Sequence, residues 1–223
     1  MLAGEGFRDL CVVGGYRADQ IESRGFRVVR NPRYEQTNMV ASLFCVAEAF
    51  DGGDDVLVAY GDIVYERRVL RAVAASPAAI ALAVDLAWRR YWSVRFADPL
   101  SDAETMKLDA EGFVVELGKK PRGYDDIQGQ YMGLFKIRAD EAPRVREAWR
   151  QLGRTATYDG KSFDNMYMTS FLQHLIDTGH AVTAVPVRGG WLETDSLADL
   201  RTYHEMQSRG ELAAFCDLEA AGQ

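Results

Sequence analysis

A short apolar run, Val56 to Tyr60, constrains the fold of this 223-residue chain more than any other stretch. Its β-branched and aromatic side chains lie between glycines, which is typical of a strand buried on both faces. The run ends in Gly61-Asp62. Ligands of open α/β sheets bind at the carboxyl ends of strands, where glycine permits close backbone approach and aspartate suits Mg²⁺. Alternatively, Asp62 starts a turn or caps the helix near Arg67.

Strand and helix patterns alternate along the chain. The predicted strands are Leu10–Val13, Phe26–Val29, Val56–Tyr60, Ala79–Val84, Gln128–Ile137 and Val182–Val187. The predicted helices are Arg17–Arg24, Met39–Phe50, Arg67–Ala75, Asp140–Leu152, Met166–Thr178 and Ser196–Glu211. This alternation predicts a mostly parallel sheet. Met106–Leu117 is predicted to be an inserted hairpin that turns at Asp109–Gly112. Because no linker interrupts the pattern, we predict a single domain over residues 1–223.

Composition and charge narrow the class of partner. A net charge of −7 argues against nucleic-acid binding through a broad basic face. No apolar run approaches the length of a membrane span, and the N-terminus lacks a signal-peptide core. The cysteines, Cys11, Cys45 and Cys216, are odd in number and widely spaced, which favours reduced thiols. We therefore predict a cytoplasmic protein without nucleic-acid or membrane partners.

A second carboxylate-bearing loop, Trp191-Leu192-Glu193-Thr194-Asp195, follows the last predicted strand, and the basic pair Lys119-Lys120 ends the hairpin. Mg²⁺ prefers one or two carboxylates plus substrate phosphates. Nucleotidyl transfer depends chiefly on positioning and on charge neutralisation. Two aspartates and one or two lysines are therefore a sufficient protein contribution to such a reaction. Alternatively, the lysines are solvated charges at a strand end.

Several motifs now carry a resemblance to a known family. In chain order they are Val12-Val13-Gly14-Gly15-Tyr16, Asn31-Pro32 with Thr37-Asn38-Met39, Gly61-Asp62-Ile63, Gly129-Gln130-Tyr131, and Trp191 to Asp195 with Asp199-Leu200. Together they resemble the nucleoside-triphosphate transferase family, and within it the phosphocholine cytidylyltransferase-like group, over essentially the whole chain. The resemblance implies a Rossmann-like, three-layer α/β/α nucleotidyltransferase fold with a mostly parallel mixed sheet and an inserted β-hairpin region.

The same resemblance implies roles for particular residues. Asp62 and Asp195 would hold the catalytic Mg²⁺, with Lys120 as a further catalytic residue. The residues implied to bind the nucleotide are Gly14, Gly15, Asn38 and Gly61. The chemistry of the side chains adds candidates for binding the acceptor. Lys119 and Lys120 would hold its phosphate, and an aromatic box for a quaternary ammonium group would be formed by Trp88, Tyr91, Trp92, Tyr124 and Tyr131. Glu193 is a further candidate. Two alternatives remain open. Asn38 is simply a helix cap. The aromatic residues named for the acceptor pack against each other instead of enclosing a quaternary ammonium group of that acceptor.

The N-terminal motif departs from the family pattern. Family members begin with a strand, a G-x-G-x-R loop and a P-K pair whose lysine contacts phosphates. Here Gly4-x-Gly6-x-Arg8 stands where the family has a helix and its exit turn, because Leu10–Val13 corresponds to the family's second strand. We therefore expect Gly6 to cap a helix end, and the first strand and triphosphate loop to be missing from this chain.

The predicted function is Mg²⁺-dependent cytidylyl transfer from CTP, or another nucleoside triphosphate, to phosphocholine or a related small phosphate or phosphonate, with release of pyrophosphate. One alternative is a sugar-1-phosphate nucleotidyltransferase, which a buried and dry aromatic cluster would favour. Another is a non-catalytic relative that serves as a binding module because it lacks the triphosphate loop. A homodimer is a further expectation.

Overall fold

A computed structural model describes residues 1–7 and 9–219. The strands are β1 (Cys11–Gly14), β2 (Arg27–Arg30), β3 (Val56–Ala59), β4 (Ile63–Tyr65), β5 (Ile80–Asp85), β6 (Met106–Leu108), β7 (Val114–Leu117), β8 (Gln130–Ile137), β9 (Thr157–Tyr158), β10 (Lys161–Ser162), β11 (Val182–Val187) and β12 (Trp191–Glu193). The α-helices are α1 (Ala18–Glu22), α2 (Met39–Leu43), α3 (Arg67–Ala75), α4 (Trp88–Arg95), α5 (Ala142–Gln151), α6 (Met168–Asp177) and α7 (Leu197–Ser208). Among the helices described, none is long and apolar enough to cross a membrane.

The chain divides into two compact units. The first unit comprises residues 1, 57–137 and 180–223, and the second comprises residues 2–56 and 138–179. A four-stranded sheet in the order β11-β5-β8-β3 runs through the first unit, with β11 parallel and β8 antiparallel to β5. The predicted mixed α/β class is thus confirmed, whereas the single domain over residues 1–223 stays a prediction.

The core of the first unit is built on β5. Every residue from Ile80 to Asp85 is buried, as expected for a strand covered on both faces. The pairing of β5 with β8 is irregular between Leu82 and Val84, and Gly133 of β8 has a φ of 78°. A Cβ atom at Gly133 would lie 2.8 Å from the ring of Tyr60. This glycine therefore lets the residue that precedes Gly61-Asp62 pack closely on the sheet.

Two short strands, β4 and β12, form an antiparallel ribbon in which Ile63 lies opposite Glu193. Sequence analysis assigned neither strand, because three residues are too few to display an alternating pattern. The ribbon is anchored to the end of β5 by the indole of Trp191, whose Nε1 donates a hydrogen bond of 3.0 Å to Oδ2 of Asp85. The main-chain N–H of Glu66, one residue past β4, donates to the carbonyl of Gly190 at 2.8 Å.

The inserted hairpin is confirmed, and a helix that sequence analysis did not assign precedes it. Strands β6 and β7 pair antiparallel, and the N–H of Gly112 closes the predicted turn on the carbonyl of Asp109 at 3.2 Å. Residues Trp88 to Arg95 form α4. The buried residues Trp88, Tyr91 and Trp92 follow helical spacing, and the exposed residues Arg89, Arg90 and Ser93 form the opposite face, so the sequence does carry an amphipathic pattern here.

The second unit contains the parallel pair β1 and β2. The single helix predicted over Met39–Phe50 is wrong: α2 ends at Leu43, and a 3₁₀ helix follows from Phe44 to Phe50 with a kink at Val46. The ring of Phe44 stacks on Trp149 at 4.3 Å, and this packing fixes the irregular segment against α5.

The N-terminus behaves as predicted for a helix end. Leu2–Glu5 is a 3₁₀ helix, and Gly6 follows it with a φ of 92°. The N–H of Phe7 donates to the carbonyl of Leu2 at 3.2 Å. The last position of the Gly4-x-Gly6-x-Arg8 motif, Arg8, lies outside the described residues. All three cysteines are free thiols, as predicted.

Candidate functional site

Two carboxylate-bearing loops meet in the first unit. Asp62 lies between β3 and β4, and Asp195 follows β12. Because β4 pairs with β12, the loops that extend from these strands lie side by side. The main-chain N–H of Thr194 donates a hydrogen bond of 2.9 Å to the carbonyl of Asp62. The structure therefore joins two stretches that are 133 positions apart in the sequence.

The charge of Asp195 influences the protonation of Asp62. Burial raises the pKa of Asp62 above its ordinary value, and the negative charge of Asp195 raises it further, while Arg95 acts in the opposite direction. A carboxyl group whose pKa is raised by a neighbouring carboxylate lies in a region of excess negative charge. Such a region attracts a cation.

The guanidinium group of Arg95 is bound by three carboxylates. It bonds to Glu193, to Oδ2 of Asp195 at 2.6 Å, and to Oδ1 of Asp199 at 3.0 Å. The Arg95 side chain is 1% exposed. Burial acts to lower its pKa, but the carboxylates of Asp199 and Glu193 raise it above the ordinary value. We call these four residues the carboxylate clamp.

The main chain of Glu193 is held by two tyrosine hydroxyls. The N–H of Glu193 donates to the hydroxyl of Tyr91 at 2.7 Å, and the hydroxyl of Tyr203 donates to the Glu193 carbonyl at 2.6 Å. The two hydroxyls also bond to each other at 2.6 Å. Strand β12 is therefore fixed immediately before the loop that carries Asp195.

Burial raises the pKa of the Glu193 carboxyl group from 4.5 to about 7, and the charge of Asp195 raises it too, against the opposing effect of Arg95. Between these pH values the folded chain keeps a proton that the unfolded chain has lost. The free energy of unfolding therefore falls as pH rises through this window. Replacing Glu193→Gln should remove this loss, so the stability of the variant relative to wild type should rise between pH 5 and pH 8.

The measurement is urea denaturation of both proteins at pH 5 and pH 8 in the presence of EDTA. Glu205→Gln is the matched control, because Glu205 is an exposed glutamate on α7 whose side chain is 68% accessible. A stability difference between Glu193→Gln and wild type that does not change with pH would contradict the prediction.

The donor set suits a metal ion that arrives with its substrate. Within the described part of the chain, no group of three or more His, Cys, Asp or Glu residues could hold a metal ion by itself. Asp62 and Asp195 are nevertheless adjacent and electrostatically coupled. Mg²⁺ is commonly bound by one or two carboxylates and completed by substrate phosphates and water. The pair therefore fits Mg²⁺ that enters with a triphosphate, and this role stays a prediction.

The predicted basic pair lies at the end of the hairpin. Nζ of Lys120 donates to the carbonyls of Leu100 at 2.5 Å and Ser101 at 3.0 Å. These bonds use two of the three donors of an ammonium group and fix its position. The main chain of Lys119 is held by Thr105, through its N–H to Oγ1 at 3.1 Å and its carbonyl at 2.8 Å.

The aromatic residues predicted to bind the acceptor lie in two ring clusters. Trp88 and Trp92 are 5% and 4% exposed, and their rings are 6.0 Å apart. The guanidinium of Arg89 lies 3.7 Å above the ring of Tyr124, which is itself 6.1 Å from Trp88. Tyr131 packs instead edge-on against Tyr60 at 5.9 Å. The rings thus pack against each other and against an arginine.

The residues predicted to bind the nucleotide are divided between the units. Gly61 lies in the first unit, where an added Cβ atom would meet no atom of the described residues within 4 Å. Gly14 and Gly15 lie in the second unit, where a Cβ atom at Gly15 would be 2.4 Å from the side chain of Tyr34. Asn38 caps α2 by accepting a hydrogen bond of 2.8 Å from the N–H of Met39. Their roles toward a nucleotide stay predictions.

Sequence analysis did not assign Arg95 or Asp199 a role in this site. One signal for Asp199 was present: Ser196 and Asp199 are spaced as a capping box, which the structure forms. Oδ2 of Asp199 also accepts from the N–H of Asp195 at 3.1 Å. Burial acts to raise the pKa of Asp199, but hydrogen bonds from Arg95 and Ser196 hold it below its ordinary range.

Comparisons with known proteins found relatives of this chain. Residues 1–160 match the family model described as a MobA-like NTP transferase domain. A CTP:phosphoglutamine cytidylyltransferase from Campylobacter jejuni subsp. jejuni serotype O:2 is 38% identical over 215 residues, which is 92% of this chain and 84% of the relative.

Two solved structures share the fold at low sequence identity. The first is the inositol-1-phosphate CTP transferase of T. maritima, with a TM-score of 0.64 and 19% identity; the match covers 96% of this chain and 81% of that one. The second is the CTP:phosphocholine cytidylyltransferase of Streptococcus pneumoniae, with a TM-score of 0.65 and 18% identity; the match covers 92% of this chain and 81% of that one. The predicted nucleotidyltransferase fold is thereby confirmed. The chain belongs to the MobA-like NTP transferase domain family and is a nucleotidyltransferase.

Proposed function

We propose that this chain transfers the cytidylyl group of CTP to a small phosphorylated acceptor in a Mg²⁺-dependent reaction. The observation that carries the proposal is the adjacency of the Asp62 and Asp195 loops, joined by the 2.9 Å hydrogen bond from Thr194 to Asp62. The 38% identity to a CTP:phosphoglutamine cytidylyltransferase supports CTP as the donor.

In the proposed reaction, a phosphoryl oxygen of the acceptor attacks the α-phosphorus of CTP. The bond between the α-phosphorus and its bridging oxygen breaks, and pyrophosphate leaves with the electron pair. Mg²⁺, held by Asp62 and Asp195, would supply charge neutralisation at the phosphates. The Lys120 ammonium, fixed by the carbonyls of Leu100 and Ser101, would offset the charge of the acceptor. A general base is unnecessary, because a phosphate monoester is largely ionised near pH 7.

For the acceptor we favour phosphoglutamine over phosphocholine. The relative named for phosphoglutamine is twice as similar in sequence as the structure named for phosphocholine, at 38% against 18% identity. An aromatic box for a quaternary ammonium needs an open ring face. Trp88 and Trp92 are buried, and the Arg89 guanidinium lies over Tyr124. The same burial favours a sugar 1-phosphate as the second candidate acceptor.

The test is pyrophosphate release from CTP and Mg²⁺ with phosphoglutamine, phosphocholine or a sugar 1-phosphate as acceptor. We expect kcat/KM to be at least about tenfold higher with phosphoglutamine, because a site built to hydrogen-bond one acceptor is left with unpaired polar groups by an acceptor that lacks the matching groups. Removing Mg²⁺ with EDTA should abolish release. A higher kcat/KM with phosphocholine would support an aromatic box that binds its quaternary ammonium group. Absence of pyrophosphate release with every acceptor would favour the non-catalytic binding module. The cytoplasmic location and the homodimer stay predictions.

A further inference from the structure

Arg95 is a buried positive charge close to the two carboxylate loops. It is the last residue of α4, and its side chain is 1% exposed. Its guanidinium carbon lies 5.6 Å from the ring centroid of Tyr91, 5.8 Å from that of Trp92 and 5.0 Å from that of Phe96. Aromatic rings on several sides and three carboxylates leave this guanidinium little freedom to move.

Asp195 is held by the clamp from two directions. Its Oδ2 accepts a hydrogen bond of 2.6 Å from Nη2 of Arg95. Its main-chain N–H donates to Asp199 at 3.1 Å, and Asp199 in turn accepts from Nε of Arg95 at 3.0 Å. The Asp195 side chain is 52% exposed, so without these bonds it would sample several rotamers.

The planar guanidinium is suited to this arrangement. Its donors point in fixed directions, and here Nε, Nη1 and Nη2 each serve a different carboxylate. A lysine ammonium carries the same charge but is a point donor without that fork geometry. The clamp therefore depends on the shape of the arginine as well as on its charge.

We propose that Arg95 is a positioning residue that orients the Asp195 carboxylate toward the metal–triphosphate group. This inference rests on the proposed function. Arg95 also neutralises the negative charges of Glu193 and Asp199. The Asp195 carboxylate is thereby held in one orientation toward the ligand. Ligand-orienting partners of this kind typically contribute 10- to 100-fold to metal affinity or activity.

The test is calorimetric titration of CTP, with and without Mg²⁺, into wild type and Arg95→Lys. In Arg95→Lys, we expect the Mg²⁺-dependent gain in CTP affinity to fall by at least about tenfold and metal-free CTP binding to stay the same. Arg90→Lys is the matched control: Arg90 lies on the same helix, donates to the carbonyl of Ala214 at 3.3 Å and lies over Phe215 at 4.3 Å. It should leave the Mg²⁺-dependent gain unchanged.

A second variant allows for the chance that Arg95→Lys does not fold. Arg95→Gln combined with Glu193→Gln removes the guanidinium from Asp195 together with one of the carboxylates it neutralises, and Glu193→Gln alone is its reference. The double variant should lose the Mg²⁺-dependent gain relative to that reference. An unchanged gain in either Arg95 variant would overturn the inference. Absence of Mg²⁺-dependent CTP binding by wild type would instead overturn the proposed function.

Discussion

Replacing Asp62→Asn or Asp195→Asn is expected to lower kcat for pyrophosphate release from CTP by about 10³-fold or more. Asparagine has the shape of aspartate but no charge, so each change removes one of two carboxylates offered to Mg²⁺. Coordination to a metal that neutralises transferring phosphates contributes several kcal/mol, and about 1.4 kcal/mol corresponds to tenfold in rate. The measurement is steady-state pyrophosphate release at saturating Mg²⁺.

Neither substitution should unfold the chain. The hydrogen bond that joins the loops uses the carbonyl of Asp62 and the N–H of Thr194, and side-chain changes leave both in place. Urea denaturation should therefore show stability close to wild type for Asp62→Asn. Asp195→Asn also removes one of the three carboxylates bound to Arg95, so it should be less stable than Asp62→Asn but still folded, because Glu193 and Asp199 remain. Asp54→Asn is the control, because Asp54 is an exposed carboxylate in the loop before β3. If either variant retained kcat within tenfold of wild type, the two loops would not hold the metal.

The position of Asp62 could be predicted from the sequence because the signal is local. An apolar run followed by Gly61-Asp62 predicts a carboxylate at the end of a strand, and the structure has β3 there. The predicted burial of this strand on both faces is wrong, because β3 is the outer strand of the four-stranded sheet and its residues are partly or fully exposed. The Trp191 to Asp195 segment was recognisable for a similar reason, since it follows the strand β11. Each loop could therefore be found without knowing its partner.

The joining of the two loops could not be predicted by the same means. It depends on the pairing of β4 with β12, strands of three residues each. Such short strands show no period, and their pairing is a contact between distant parts of the chain. The chemistry of the two aspartates and the family resemblance suggested a common site, but neither predicted the strand pairing that brings the two loops together.

The role of Arg95 in binding the carboxylates could not be predicted for a related reason. Its partners Glu193 and Asp199 lie 98 and 104 positions away. In the sequence it is one of three arginines among aromatic residues, and the aromatic content suggested a substrate-binding wall. A helical assignment for Trp88 to Arg95 would have placed Arg95 one turn beyond Tyr91, on the buried face. A buried arginine requires carboxylate partners, and the acidic segment after β12 is the richest source of them.

Trp191 belongs to a motif that carries the family resemblance, yet its role in the structure is to anchor the ribbon. It is 1% exposed and its ring lies 5.3 Å from Tyr91 and 6.0 Å from Trp92. Its Nε1 donates to the fully buried Asp85 at 3.0 Å. Trp191→Ala should therefore cost about 3–5 kcal/mol of unfolding free energy. Since domains are stable by only about 5–15 kcal/mol, this variant should be close to unfolded at 37 °C.

Trp191→Phe separates the indole hydrogen bond from the packing of the ring. Phenylalanine keeps an aromatic ring but leaves Oδ2 of Asp85 without its donor, while Oδ1 still accepts from Ala87 at 2.7 Å and Gly189 at 3.0 Å. Leaving a buried charged oxygen unpaired costs about 1–3 kcal/mol or more, and the smaller ring adds a cavity. We expect a loss of about 2–4 kcal/mol, measured by urea denaturation.

Trp149→Phe is the matched control, because Nε1 of Trp149 is buried and has no hydrogen-bond partner among the residues that the structure describes. Removing that N–H breaks no bond, so this variant should lose less than about 1 kcal/mol. Equal losses in the two phenylalanine variants would mean that the Asp85 hydrogen bond contributes nothing. A larger loss in Trp191→Phe, with kcat falling alongside it, would show that the tryptophan of the motif acts by holding β12, and through it Asp195, against the end of β5.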